Sequence, residues 1–95
     1  MESAGTERPR ITVEFFGIPR ERSGVPAVEI EAGQLGEALS EVGRRLPALE
    51  GECLESGRLL PGFLVSLNAR EFTTDPTTPL RDGDCVLILS ADAGG

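Results

Sequence analysis

Side chains able to do chemistry are scarce in this chain, and the missing types decide much of what it can be. There is no histidine, tryptophan or tyrosine, and all nine basic residues are arginine, so lysine is absent as well. Without histidine the chain cannot assemble a Ser–His–Asp or Cys–His site from its own residues. Without lysine it has no Walker A loop and forms no Schiff base through a side chain. Two cysteines and no histidine cannot complete a four-ligand zinc site. Self-contained catalysis is therefore not expected, nor is a cofactor or metal held by this chain alone.

Cys53 and Cys85 could pair, but one pair in a chain with no secretion signal more often means two reduced thiols. Cys85 adjoins the apolar run Val86-Leu87-Ile88-Leu89 and reads as a small hydrophobe. Cys53 lies among Glu50, Glu52 and Glu55, which raise a thiol's pKa and make it a poor nucleophile. Neither is expected to be catalytic. The net charge of −7 argues against nucleic acid and anionic membrane as partners. It suits a partner with a basic docking surface, and equally the plain solubility of a small domain. Apolar residues make up 39% and charged residues 26% of 95 residues, the balance of one globular domain with a small core. No apolar run approaches the roughly 20 residues of a membrane span. Met1 to Arg10 lacks the apolar region of a secretory signal, so a cytoplasmic location is expected.

The elements that must position any site follow from periodicity. Residues 1–10 are polar and broken by Gly5 and Pro9, and read as a flexible arm. In Ile11-Thr12-Val13-Glu14-Phe15-Phe16, Ile11, Val13 and Phe15 alternate onto one face of a strand. Gly17 to Pro26, with its prolines, glycines and charges, reads as a loop. Ala27 to Glu31 is a second strand with Val28 and Ile30 inward. Leu35, Ala38, Leu39, Val42 and Leu46 then form a single helical stripe, with Gly33 as N-cap and Pro47 ending the helix at Leu46. Gly43 inside that helix should weaken it by roughly 1 kcal/mol relative to alanine. Pro47 to Leu60 is mixed, with a short helical turn packing Leu49 and Leu54. Phe63 to Leu67 is a third strand closed by the turn residues Asn68-Ala69-Arg70, and Thr73 to Pro79 reads as an exposed loop. Asp82-Gly83-Asp84 is a tight turn into Cys85-Val86-Leu87-Ile88-Leu89, a strand either covered on both faces or exposing one to a partner. A helix lying across a mixed sheet would bury both stripes, giving an α+β roll.

The opening ITVEFFG, the central FLVSLNAREF, the run PLRDGDCVLIL and the terminal AGG together resemble the ubiquitin-like sulfur carriers of the MoaD/ThiS family. The resemblance covers roughly Ile11 to Gly95 and is most specific at Leu80-Arg81-Asp82-Gly83-Asp84 and Gly94-Gly95. It implies a β-grasp (ubiquitin-like) roll, a mixed four- to five-stranded sheet with one main helix across one face. The domain would span residues 11–90, and residues 91–95 would form an extended C-terminal tail.

By this resemblance the reactive position is the Gly95 carboxylate. An E1-like enzyme would convert it to an acyl adenylate, and a sulfur nucleophile would displace AMP to leave a thiocarboxylate. ATP, and the zinc often found in such enzymes, would belong to the partner. Glycine suits the position because backbone without Cβ passes a narrow channel and leaves the attack path open; Ala93 and Gly94 keep the approach slim. The partners implied are the adenylating enzyme and a sulfur-accepting synthase or large catalytic subunit, with molybdopterin synthesis the favoured pathway. The family's apolar docking patch falls on Phe16 and Leu89, each of which could also be core. Its third position falls on Glu71, where an apolar residue is usual; Phe72 could replace it unless it faces the core. The helix start also lacks the usual threonine-type cap, Asp92 charges the tail, and the Thr73-Thr74-Asp75-Pro76 region is longer than in the molybdopterin subunit. Two other fates fit the same end. One is a modifier joined through Gly95 to lysines of target proteins, and the other an interaction module with an inert tail.

Overall fold

Alternation along the first strand sets the architecture. The structure, a computed structural model, describes residues 8–91. Its elements are β1 (Arg10–Phe16), α1 (Ile18–Ser23), β2 (Ala27–Glu31), α2 (Leu35–Arg45), a 3-10 turn (Pro47–Leu49), β3 (Leu54–Glu55), β4 (Arg58–Leu59), β5 (Phe63–Leu67), β6 (Glu71–Thr73) and β7 (Cys85–Ser90). β1 buries Ile11, Val13 and Phe15 and turns Thr12, Glu14 and Phe16 to the opposite face, as its period-2 pattern requires. It begins at Arg10, the last residue of the expected arm, whose N–H donates to Asp82 Oδ1 at 2.9 Å.

Five strands form one mixed sheet in the order β2-β1-β7-β5-β6. β1 and β7 are parallel neighbours, with Val13 beside Val86 and Phe16 beside Leu89; the remaining pairs are antiparallel. The helix α2 supplies Leu35, Ala38, Leu39 and Val42, all fully buried, to a core shared with Ile11, Val13, Phe15, Val65, Val86 and Ile88. This is the expected α+β roll, with five strands and one main helix.

The start of α2 explains how a helix without a hydroxyl cap is held. Its N-cap is Gln34, one residue beyond the expected Gly33, and no side chain caps it there. Three free amides nearby find other acceptors. Leu35 N–H donates to Thr78 O at 2.9 Å and Gly36 N–H to Pro76 O at 2.8 Å, while Gly33 N–H donates to Glu37 Oε1 at 2.8 Å. In the last bond Glu37, third in the helix, reaches back past the N-cap to the amide before it, one residue further than in a capping box. The stretch expected only as an exposed loop between β6 and β7 therefore caps the helix. Gly36 permits this approach, because a Cβ there would lie 3.1 Å from Pro76 Cβ and 3.2 Å from its carbonyl oxygen. Glu37→Ala is expected to lower stability by about 1 kcal/mol, as for loss of other helix caps. Urea unfolding would show a lower midpoint with an unchanged slope; an unchanged midpoint would mean that water serves Gly33 as well as the carboxylate does.

Three further elements differ from the sequence reading. Residues read as a loop hold α1, because Pro19 sits in the first turn, where a missing N–H costs nothing, and Gly24 closes the helix in the left-handed region. The mixed region after α2 contains the β3–β4 hairpin as well as the expected turn under Leu49 and Leu54. Ser56 and Gly57, both at positive φ, make its two-residue connection. β6 is a short edge strand, where the sequence reading places Glu71 and Phe72 in no element and Thr73 in the exposed loop.

Candidate functional site

Because α2 covers one face of the sheet, the other is where a docking patch would have to lie, and strand register shows what it carries. One row across it runs Phe16 on β1, Leu89 on β7 and Leu64 on β5. The next runs Ala27 on β2, Glu14 on β1, Leu87 on β7, Ser66 on β5 and Phe72 on β6. Phe16 is 53% exposed and Phe72 69% exposed, so neither is core. Leu89 is only 8% exposed, yet it stands outside the main core cluster, flanked by Phe16 and Leu64. The three residues singled out in the sequence thus come to one face. Glu71 pairs with Leu67, one step out of phase with Phe72, and strand alternation assigns those two neighbours to opposite faces.

Leu64 and Leu87, both half-buried, complete this patch and were missed. The signal was available: both stand in phase with Leu89 and Phe16 once the register of β5, β7 and β1 is drawn. Ile18, 43% exposed at the start of α1, lies just beyond Phe16 and was hidden in the presumed loop. Gly17, at φ 73°, makes the abrupt turn that places it there.

The parallel pairing of β1 with β7 fixes which end of the sheet is which. At the entry end, the Asp82-Gly83-Asp84 turn is structural. Gly83 N–H donates to Arg10 O at 2.8 Å and Asp84 Oδ2 accepts Arg81 N–H at 2.7 Å. Asn68 locks the turn from β5, its Nδ2 donating to Asp84 Oδ1 at 2.9 Å and its Oδ1 accepting Cys85 N–H at 2.8 Å. At the exit end, beside Phe16 and Leu64, Ala91 N–H donates to Gly62 O at 2.8 Å. Ala93, Gly94 and Gly95 lie outside the described residues.

Cys53 and Cys85 are free thiols, and neither is activated. Burial pushes Cys53 up, Glu52 adds to it, and Arg22 opposes. Burial also raises Cys85, helped by the charge and hydrogen bond of Glu14. Near neutral pH we expect iodoacetamide to spare Cys53 in the folded protein and to label Cys85 more slowly than an unstructured thiol, followed by intact mass. Fast labelling of either would contradict these environments.

No family model matches the chain, and no curated protein matches it in sequence. Solved structures do match. Small archaeal modifier protein 1 from Methanosarcina acetivorans superposes with a TM-score of 0.78, covering 93% of this chain and 98% of that one at 22% identity. A chain of the Amycolatopsis orientalis BexX/CysO complex gives 0.72, covering 90% and 99% at 26% identity. In fold, this chain is a MoaD/ThiS-like β-grasp protein. A chain of the complex of subunits 1 and 2 of molybdopterin-converting factor from Helicobacter pylori gives 0.59, covering 85% and 92% at 25% identity. In this β-grasp protein no described helix is long and apolar enough to cross a membrane.

Proposed function

We propose that this protein is a sulfur carrier that acts as a co-substrate of partner enzymes. The Gly95 carboxylate attacks the α-phosphate of ATP on an E1-like enzyme, releasing pyrophosphate and forming an acyl adenylate. A hydrosulfide-level nucleophile then attacks the carbonyl carbon, AMP leaves, and a thiocarboxylate remains. The chain's own part is to dock and to present its end. The observation that carries this reading is the apolar row Phe16–Leu89–Leu64 on the sheet face away from α2, beside the end of the strand that leads into residues 91–95. Contacts there offset the ordering entropy of a tail threaded into a partner.

Two neighbours come from structures of complexes, one of BexX with CysO and one of the two subunits of molybdopterin-converting factor. They support a synthase or large catalytic subunit as the sulfur-accepting partner. A molybdopterin precursor is the acceptor we favour, with the reaction in the cytoplasm where ATP is supplied. The test is intact mass after incubation with the organism's E1-like enzyme, ATP and a sulfur donor. Exchange of one terminal oxygen for sulfur is expected, and no exchange with a demonstrably active enzyme would refute the carrier.

A second reading has support from the neighbour described as a small archaeal modifier protein. There the activated Gly95 carbonyl is captured by a lysine amine on a target. Recovery of Gly95 in isopeptide linkage to cellular proteins would favour it. Since the chain has no lysine, it offers no side-chain amine for building chains of itself.

A further inference from the structure

One charged group on the docking face has no role in the carrier reading. Glu14 is exposed at the middle of β1, two residues before Phe16 on the same face and in register with Leu87. With Ser66, Asn68, Ala69, Cys85 and Leu87 it lines a shallow depression of about 350 Å³. The Cys85 thiol shares this lining with Glu14, and a thiol is at best a weak donor. The Asn68 amide is committed to Asp84 and to the Cys85 backbone. Among the described residues no arginine pairs with Glu14, whereas Arg10, Arg22, Arg44 and Arg45 each pair with another carboxylate.

A partner that covers Phe16, Leu64 and Leu87 also strips water from this carboxylate. A desolvated charge without a counter-charge opposes association, whereas a matched one adds to it. We propose that the protein docking on this face inserts an arginine or lysine side chain into the depression to pair with Glu14, so that Glu14 selects among partners. Arginine fits best, since its planar guanidinium lies flat over apolar surface such as Leu87 and grips a carboxylate with two N–H groups. A partner presenting an apolar surface alone is rejected, because it buries Glu14 unpaired.

The inference rests on the docking assigned under the carrier reading, and the experiment separates the two. The full chain is titrated with the organism's E1-like adenylating enzyme by calorimetry, at about 50 mM and about 300 mM NaCl, where screening lengths differ severalfold. Wild-type affinity should fall with salt. Glu14→Gln should weaken binding about tenfold at low salt and flatten the salt dependence, and Glu14→Arg should weaken it about a hundredfold. Phe16→Ala should weaken binding at both salt levels and leave the salt dependence as it was. If both Glu14 variants bind like wild type while Phe16→Ala does not, the ion pair is overturned and docking stands. If Phe16→Ala also binds like wild type, or wild type does not bind, docking on this face falls and the inference with it. The mass assay for sulfur exchange judges the tail chemistry separately. Glu14 is exposed, so circular dichroism should show the folded sheet in every variant.

Discussion

Removal of Gly94 and Gly95 is expected to abolish thiocarboxylate formation completely while leaving the body folded. The proposed chemistry needs a carbonyl that reaches an adenylating centre, and shortening the chain by two residues would withdraw it by about 7 Å of extended backbone. No compensation is available from elsewhere, since the chain has no histidine or lysine and both thiols are raised. The core, in contrast, is closed by residues well before the deletion, with Val86 and Ile88 fully buried and Ala91 N–H already bonded to Gly62. The truncated protein should therefore match the wild type in thermal unfolding and bind its partner through the sheet face. Mass spectrometry after incubation with enzyme, ATP and sulfur donor checks the first statement, and calorimetry checks the second. Sulfur incorporation into the truncated chain would refute Gly95 as the acceptor position. Matching biological activity in complementation would favour the inert-tail module.

Phe16→Asp is expected to weaken binding to the adenylating enzyme by more than about a hundredfold, the scale of losing a central aromatic anchor and burying a charge in its place. Phe16 is 53% exposed on the sheet face away from α2, so the folded body bears little of the cost. A β-strand position alone accounts for about 1 kcal/mol between residue types. The measurement is a titration, with circular dichroism as the control for folding. Unchanged affinity would show that the patch is not where the partner sits.

Much of this fold was legible because its strands and main helix obey clean periods. Ile11, Val13 and Phe15 alternate, and Leu35, Ala38, Leu39 and Val42 repeat at helical spacing; all seven are buried. What escaped notice was local structure set by other parts of the chain. α1 was read as a loop because Pro19 and Gly24 punctuate it, although proline in a first helical turn and glycine after the last are compatible with a helix. The β3–β4 hairpin has two residues per strand, too few to show a period. The way the amides at the start of α2 are satisfied was unreadable because Gly36 and Leu35 donate to Pro76 and Thr78, some forty residues away, while Gly33 donates to Glu37. At the site, Phe16 and Leu89 were singled out by resemblance alone. Their place on one face and the company of Leu64 and Leu87 depended on pairing between strands distant in sequence. The Asp82-Gly83-Asp84 motif, which carried much of the resemblance, serves as an anchor for the start of two strands and takes no part in the docking face.

The position of β7 has a consequence for how the protein is made. It lies between β1 and β5, so until residues 85–90 have been synthesised the main sheet is split into two separate strand pairs, with Val13 and Val65 lacking their central neighbours. Closure depends on joining the first strand to the last, a slow, non-local step. The ribosome must therefore have translated past residue 90 before this sheet face exists. A product terminated before residue 85 lacks that face, and under the carrier reading it lacks Gly95 as well and could not occupy an adenylating enzyme unproductively.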